Sequence, residues 1–184
     1  WELLKAETIP FSEMWYSRLA HLPTQSALVY AKTHVYFGHY MGELVIDFMS
    51  RNNILPDFIS SHGHTVFHQP DKGITLQIGN LPALATFLNQ IVVCDFRTQD
   101  VALGGQGAPL VPIGDALLFS DYDFCLNLGG FANVSFQQQA NRIAFDICPV
   151  NIILNHYVKF LGIPYDDGGK IASSGALCLP LLEA

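Results

Sequence analysis

Apolar residues recur along the chain with two spacings, and the spacing changes from one segment to the next. Between residues 24 and 52 they fall three and four positions apart, which predicts one long amphipathic helix. Gly38 and Gly42 lie inside that pattern, so they either let another backbone approach closely or mark a break between two helices. Before the helix, the stretch LKAETIPF predicts a strand that runs into a turn at Pro10.

Shorter apolar runs after the long helix predict strands, and a helical pattern lies among them. The strands fall in residues 57–63, 75–79 and 91–96, with a helix in residues 81–90. Because strands alternate here with a helix, we expect a mostly parallel sheet with covering helices.

The second half of the chain shows the same α/β style without repeating the sequence of the first. It predicts a loop that enters a short helix, three strands and a further helix, in residues 109–119, 123–129, 132–137, 142–147 and 151–161. The fold class is therefore α/β. The glycine-rich stretch ALGGQGAP favours a domain boundary near residue 100, which gives domains at residues 1–100 and 101–184.

Composition and charge exclude several classes of protein. Half of the 184 residues are hydrophobic, yet no apolar run reaches the roughly 18 residues of a membrane helix. The net charge of −7, without a Lys/Arg cluster, argues against a nucleic-acid partner. Four widely spaced cysteines without a CxxC pair are typical of reduced, buried thiols in a cytoplasmic protein. Both ends look cut, so we expect an internal piece of a longer protein.

Two glycine-rich stretches are candidates for binding a ligand through the backbone. GGQGAP, residues 104–109, can approach a ligand closely and aim N–H groups at an anion, although a tight turn explains it equally well. NLGGFANVS, residues 127–135, places a Gly-Gly turn between two strands. Such a turn can surround a phosphate, or it can be a hairpin without a ligand.

Three histidines lie close together in SHGHTVFH: His62, His64 and His68. Two imidazoles with a third donor would suit zinc. No carboxylate or cysteine follows at a recognisable ligand spacing, so the pattern favours histidines that hydrogen-bond near a polar ligand.

Charged residues end two predicted strands. Asp95, Arg97 and Asp100 follow one strand, where an α/β sheet binds ligands, although a solvated salt bridge is the alternative. Asp146 ends another strand between Phe145 and Ile147, just before a helix. We expect apolar neighbours around this carboxylate and a role as a general base.

Taken together, the motifs SHGHTVFHQP, TLQIGN, VVCDFRTQDVALGGQGAPLVP, LNLGGFANVS and FDICPVN, in this order, resemble the anhydro-N-acetylmuramic acid kinase family. The resemblance covers roughly residues 57–175. That family belongs to the superfamily of sugar kinases, Hsp70 and actin. The resemblance therefore implies an actin-like (ribonuclease H-like) two-domain ATPase fold, here incomplete at both ends, whose domains close around a cleft.

The resemblance also implies a reaction, cofactors and site residues. An ATP- and Mg²⁺-dependent kinase opens the 1,6-anhydro bridge of the amino sugar and phosphorylates O6, and Asp146 activates the attacking water. The residues near the ATP phosphates are Asn127, Gly129, Gly130 and Asn133. The residues on the sugar side are His62, His64, Asp95, Arg97, Gly104, Gly105, Gln106, Gly107, Ala108, Pro109 and Asn151. Members often act as dimers, so the resemblance suggests a homodimer.

The chain departs from the family pattern at one motif. The family usually has Asp-Thr-Gly-Pro-Gly-Asn where this chain has Asp-Ile-Cys-Pro-Val-Asn, so bulkier side chains stand at Ile147, Cys148 and Val150. Two alternatives therefore stay open beside the kinase. One is a catalytically impaired relative that binds a sugar or nucleotide, and the other is a metal hydrolase centred on the three histidines.

Overall fold

The structure is a computed structural model that describes residues 2–80 and 82–183. It is a mixed α/β structure with three small sheets. The chain forms two compact units, one up to Val111 and one from Pro112 onward, and each is described by itself. The predicted domain boundary at residue 100 stays a prediction, because compactness alone does not define the domains of a larger fold.

The first unit alternates helices and short strands. Its elements are α1 (Glu13–His21), α2 (Ala27–Asn52), β1 (Ile59–Ser61), β2 (His64–Gln69), β3 (Ile74–Ile78), α3 (Pro82–Leu88), β4 (Val92–Cys94) and α4 (Phe96–Ala102). The long helix, the three predicted strands and the helix that precedes the third strand are confirmed, apart from Leu81, which lies outside the described residues. The strand predicted from LKAETIPF is wrong, since residues 4–11 form neither helix nor strand.

Helix α2 is a single helix because its ends are capped and its middle is uninterrupted. The Ser26 hydroxyl accepts the Val29 N–H at 3.4 Å, and Asn53 ends the helix in a left-handed conformation. Gly38 lies against Gly79, where an added Cβ would stand 3.1 Å from the Gly79 carbonyl oxygen. Gly38 therefore allows a close backbone approach, Gly42 makes room for the Phe87 ring, and neither glycine breaks the helix.

The core of the first unit lies between α1, α2 and β3. Trp15, Leu19, Leu22, Phe37 and Ile78 are buried together. The Trp15 and Phe37 rings meet edge to face, with centroids 5.4 Å apart. Burial of these apolar side chains fixes β3, and hence the loops on either side of it, against the long helix.

The strands pair differently from the mostly parallel sheet that the sequence predicts. Strands β1 and β4 are parallel over three residues, with Ile59 opposite Val92. Strands β2 and β3 are antiparallel and are joined by a short turn that Gly73 closes in a left-handed conformation. These two strands are antiparallel because the turn between them is too short for the crossover that a parallel pair needs.

The second unit is built on an antiparallel sheet of three strands. Helix α5 (Leu110–Leu118) spans the division between the units, and the following elements are β5 (Phe124–Leu128), β6 (Phe131–Gln138), β7 (Asn141–Pro149), α6 (Asn151–Val158), α7 (Lys170–Ser174) and α8 (Leu179–Leu182). The sheet order is β5-β6-β7. The predicted strands and the helix from residue 151 are confirmed, and their antiparallel order follows from the tight turns between them.

The four cysteines are free thiols, but they do not share one environment. Cys94 and Cys125 are half-buried, whereas Cys148 and Cys178 are exposed. Burial raises the pKa of the Cys94 thiol, and the negative charge of Asp95 acts in the same direction. The expectation of buried thiols is therefore wrong for Cys148 and Cys178.

None of the helices among the described residues combines the length and the apolarity that crossing a bilayer requires.

Candidate functional site

The glycine loop of residues 104–109 folds back on helix α4, which precedes it. The Gly104 N–H donates to the Val101 carbonyl at 3.0 Å, and the Gly105 N–H donates to the Asp100 carbonyl at 2.8 Å. Gly104 has φ of 89°, so these two bonds form the left-handed helix cap that glycine favours. The first glycine is therefore explained by the end of α4.

Gly107 is held by two side chains of α4. Its N–H donates to Asp100 Oδ2 at 2.7 Å, and its carbonyl accepts a hydrogen bond from Arg97 Nε. Gly107 is buried with φ of 67°, and an added Cβ would lie 2.7 Å from Val101 Cγ2. Glycine is required here because both the backbone conformation and the available space exclude a side chain.

Arg97 links the loop to strand β2. Its Nη1 donates to Thr65 Oγ1 at 3.0 Å, and its Nη2 lies 3.4 Å from His68 Nε2. Because guanidinium only donates, His68 Nε2 accepts and its Nδ1 donates to Thr75 Oγ1 at 3.3 Å. Among the described residues Arg97 forms no salt bridge, so the solvated ion pair considered from the sequence is wrong.

Burial shapes the charge states of this cluster. Removal from water lowers the pKa of the His68 imidazole, and the neighbouring Arg97 charge lowers it further. The pKa of Arg97 is also lowered by burial. His68 is therefore held neutral, the form in which its Nε2 can accept a hydrogen bond from Arg97.

The remaining histidines of SHGHTVFH point to different surroundings. His64 is half-buried against the aromatic core, with its ring centroid 5.9 Å from that of Phe37. His62 is exposed, and Asn80 Nδ2 donates to its carbonyl at 2.8 Å. Asn80 Oδ1 also accepts the Ser61 hydroxyl at 2.9 Å, so this asparagine fixes the loop that carries His62.

The zinc alternative finds no support in this arrangement. Within the described part of the chain, no group of three or more His, Cys, Asp or Glu side chains is placed to hold a metal ion. The histidines do not converge on one position, because His64 faces the aromatic core and His68 is hydrogen-bonded to Arg97.

Asp95 lies at the carboxyl end of β4 in a conformation that few residues adopt. Its φ is 64°, and its Oδ1 accepts the Thr98 hydroxyl at 2.5 Å. A left-handed conformation costs about 1–2 kcal/mol for most residues, although aspartate tolerates it better than most. The unusual backbone ends the strand abruptly and starts helix α4 at the next residue.

In the second unit, three predicted site residues form a row across the sheet. Asn127 on β5 is opposite Asn133 on β6, and Asn133 is opposite Asp146 on β7. Side chains of directly opposite residues lie on one face, with Cβ atoms about 4.5–5.5 Å apart. The register shifts by one residue beyond this row, and Ile147 is the extra residue. The structure thus brings the candidate base together with two amide side chains.

The Gly129–Gly130 turn is held by the start of helix α6. Asn151 Nδ2 donates to the Leu128 carbonyl at 3.0 Å and to the Gly129 carbonyl at 2.8 Å. The Gly130 carbonyl accepts the Val150 N–H at 2.8 Å. The carbonyl groups of the turn are therefore occupied by α6, which fixes the turn beside the row of Asn127, Asn133 and Asp146.

Asp146 differs from its predicted setting. It is exposed, and Phe145 and Ile147 on either side are 53% and 54% exposed. The apolar surroundings expected from the sequence are therefore wrong for the described residues, because consecutive residues of β7 are exposed here and neither face of the strand is covered. The helix begins at Asn151, five residues further on.

Several residues that organise these sites were not among the predicted ones. Thr65 and Asn80 bind the elements that carry Arg97 and His62, and His34 Nδ1 accepts the Gly79 N–H at 2.8 Å. Asn80 offered a signal, since a polar residue directly after a strand and a glycine is suited to bind backbone. Thr65 and His34 offered no such signal, because in the sequence each looks like an ordinary strand or helix residue.

Comparison with known proteins identifies the family. The family model described as anhydro-N-acetylmuramic acid kinase matches residues 2–184. The anhydro-N-acetylmuramic acid kinase of Pseudomonas putida is 42% identical over 151 residues, which cover 78% of this chain and 42% of that protein. The protein of the same name from Zymomonas mobilis is 38% identical over 169 residues, covering 87% of this chain and 46% of that protein.

A third relative gives the same result. The anhydro-N-acetylmuramic acid kinase of Bordetella pertussis is 47% identical over 130 residues, covering 68% of this chain and 34% of that protein. The chain thus spans less than half the length of these curated relatives. The resemblance found in the sequence motifs is confirmed: the chain belongs to the anhydro-N-acetylmuramic acid kinase family.

Proposed function

We propose that the full-length protein is an ATP-dependent anhydro-sugar kinase. It adds water to 1,6-anhydro-N-acetylmuramic acid, opens the anhydro bridge and transfers a phosphoryl group to O6. The product is N-acetylmuramic acid 6-phosphate, an intermediate of peptidoglycan recycling and amino sugar metabolism. The observation that carries this proposal is the row of Asp146, Asn133 and Asn127 beside a fixed glycine turn.

The residues of the second unit fit a nucleotide polyphosphate. The carboxamides of Asn127 and Asn133 are hydrogen-bond donors, and Gly130 has open space where a side chain would otherwise stand. Phosphate oxygens can therefore reach the turn closely. A single nearby carboxylate, Asp146, is also compatible with Mg²⁺, which takes most of its ligands from phosphates and water. When bound, ATP and Mg²⁺ supply the phosphoryl group and neutralise its developing charge.

Asp146 is the proposed general base. Its exposed carboxylate is open to water on the same face as the two asparagines. It takes a proton from the water whose oxygen bonds to C1 of the sugar, while the C1–O6 bond breaks and O6 receives the phosphoryl group. The Asn133 amide, directly opposite, is suited to orient the carboxylate.

The sugar side is assigned to the first unit in the same proposal. His62 and the exposed members of the glycine loop, Gly104, Gln106 and Ala108, are candidates for contact with the sugar, whereas His64 supports them from the core. The actin-like two-domain fold is the proposed architecture of the full-length protein, and the cytoplasm is its proposed compartment. A homodimer stays a prediction.

A coupled assay of ADP release on the full-length protein tests this proposal. We expect turnover with 1,6-anhydro-N-acetylmuramic acid, and a loss of about 100- to 10,000-fold for Asp146→Asn because the base is removed. The exposed Asp121 supplies the matched control, Asp121→Asn, which should keep wild-type turnover. Sugar binding without ADP release by the wild type would instead favour the impaired relative. Full activity of Asp146→Asn would refute the role of Asp146.

A further inference from the structure

We propose that helix α4 positions the glycine loop so that Gln106 is presented to the sugar, with Asp100 and Arg97 as positioning residues. This inference rests on the function proposed above, because it names how the sugar side of that site is built. It changes the role expected for Arg97, which acts through the loop and needs no contact with the sugar itself.

Both backbone polar groups of Gly107 are held by one turn of α4. Asp100 accepts the Gly107 N–H at 2.7 Å, and Arg97 donates to the Gly107 carbonyl. Both bonds involve a charged partner, and such bonds are the stronger ones in proteins. The peptide groups on the two sides of Gly107 therefore cannot rotate unless one of these bonds breaks.

The two residues that flank Gln106 have no room for side chains. A Cβ on Gly105 would collide with the Asp100 carboxylate, and a Cβ on Gly107 would collide with Val101. Gln106 itself is exposed, and no hydrogen bond joins it to any described side chain or backbone group. The loop thus holds a single free carboxamide between two fixed glycines.

The clamp that Asp100 and Arg97 form on Gly107 extends to a second element. Arg97 also donates to Thr65 Oγ1 at 3.0 Å, and its Nη2 lies 3.4 Å from His68 Nε2. The loop is therefore tied to strand β2 as well as to α4. The carboxamide of Gln106 offers a donor and an acceptor side by side, which suits the hydroxyl and acetamido groups of an amino sugar.

A double-mutant cycle on the full-length protein tests the inference. Asp100→Ala should raise KM for 1,6-anhydro-N-acetylmuramic acid about 10-fold and leave KM for ATP unchanged, since a lost bond to a charged group is worth roughly that factor. Asp100→Asn should restore most of the affinity, because its Oδ1 still accepts the Gly107 N–H. Gln106→Ala should raise KM similarly, and adding Asp100→Ala to it should have little further effect.

Controls separate this inference from the proposed function. Gln99→Ala, an exposed position on the same helix, should behave as wild type. Amide hydrogen exchange at Gly107 should speed up in Asp100→Ala whether or not the protein turns over the sugar. Unchanged exchange at Gly107, or additive effects of Asp100→Ala and Gln106→Ala on KM, would overturn the inference. If the wild type shows no turnover, both the proposed function and the sugar-presenting role of Gln106 are refuted. Faster amide exchange at Gly107 in Asp100→Ala would then still support the clamp formed by Asp100 and Arg97.

Discussion

Replacing Asn151 tests how firmly helix α6 holds the glycine turn. Asn151→Ala removes two hydrogen bonds, from Nδ2 to the Leu128 carbonyl at 3.0 Å and to the Gly129 carbonyl at 2.8 Å. Each bond contributes about 0.5–1.5 kcal/mol net. Because Asn151 is half-buried, water replaces part of the loss, so we expect the free energy of unfolding to fall by about 1–2 kcal/mol. Asn151→Asp should cost at least as much, since a carboxylate cannot donate to carbonyl oxygens.

Urea unfolding of the full-length protein measures these losses, and amide hydrogen exchange at Val150 locates them. Asn155→Ala is the matched control, because Asn155 lies one turn further along α6 and its side chain makes no hydrogen bond to the described residues. It should change stability by less than about 0.5 kcal/mol. KM for ATP should rise in both Asn151 variants if the turn binds phosphate. The reasoning fails if Asn151→Asp is as stable as the wild type.

Three further predictions concern the first unit. Gly107→Ala should destabilise the protein by about 2–4 kcal/mol and Gly104→Ala by about 1–2 kcal/mol, because both glycines have positive φ but only Gly107 also lacks space for a side chain. Thermal unfolding compares the two variants, and equal losses would contradict the predicted clash with Val101. Burial lowers the pKa of His34, so between that lowered value and about 6.5 the unfolded state binds more protons than the folded state. The free energy of unfolding should therefore fall as the pH falls through this window. In urea unfolding at several pH values, His34→Gln should flatten this decline, whereas His156→Gln, at an exposed histidine, should not. Asn80→Ala should cost about 1–2 kcal/mol through its two hydrogen bonds, and an unchanged unfolding midpoint would count against its role.

The fold was predictable where one local signal dominated. Helix α2 carries a 3.6-residue apolar period over 26 residues, and capping residues define both of its ends. Helix α4 escaped prediction because its first residue, Phe96, continues the apolar run of β4. The switch from strand to helix occurs through the left-handed backbone of Asp95, which a sequence pattern does not reveal.

Strand direction was less predictable than strand position. A strand, a helix and a strand in order suggested parallel pairing, which holds for β1 and β4. The intervening β2, which was not among the predicted strands, and β3 are instead a hairpin, and the left-handed Gly73 of its turn looks in the sequence like any loop glycine. Whether two strands pair parallel or antiparallel depends on the geometry of the turn between them, which the spacing of apolar residues does not reveal.

The candidate sites were predictable as residue types but not as contacts. The glycines of residues 104–107 signalled a tight loop, yet their individual reasons, a helix cap at Gly104 and crowding at Gly107, depend on α4. The partners of Arg97 were equally hidden, since Thr65 lies 32 residues away along the chain. A charged residue beside two carboxylates suggests an ion pair in sequence, whereas its real partners are a hydroxyl, an imidazole and a carbonyl.

The segment FDICPVN carries its bulkier side chains without a positive φ. Among the described residues, positive φ outside glycine occurs at Asn53, Asn89, Asp95 and Gln139. Cys148 and Val150, which stand where the resemblance places glycines, therefore have negative φ, but Val150 has φ of −125° and ψ of −92°, outside the usual helical and extended regions. Val150 still donates its N–H to the Gly130 carbonyl at 2.8 Å.

The extra residue of the bulge, Ile147, is the other departure from the family motif, and its side chain is 54% exposed. A bulge re-aims the neighbouring side chain and bends its strand, so the orientation of Asp146 is set by pairing with β6 and not by the residue type at position 147. With the bulkier residues in place, Asp146 is paired with Asn133 of β6 and the Gly130 carbonyl is bonded by Val150. Ile147→Thr, at an exposed position of the bulge, is therefore a test of substrate choice, whereas Val150→Gly also relieves an uncommon backbone conformation and tests stability as well.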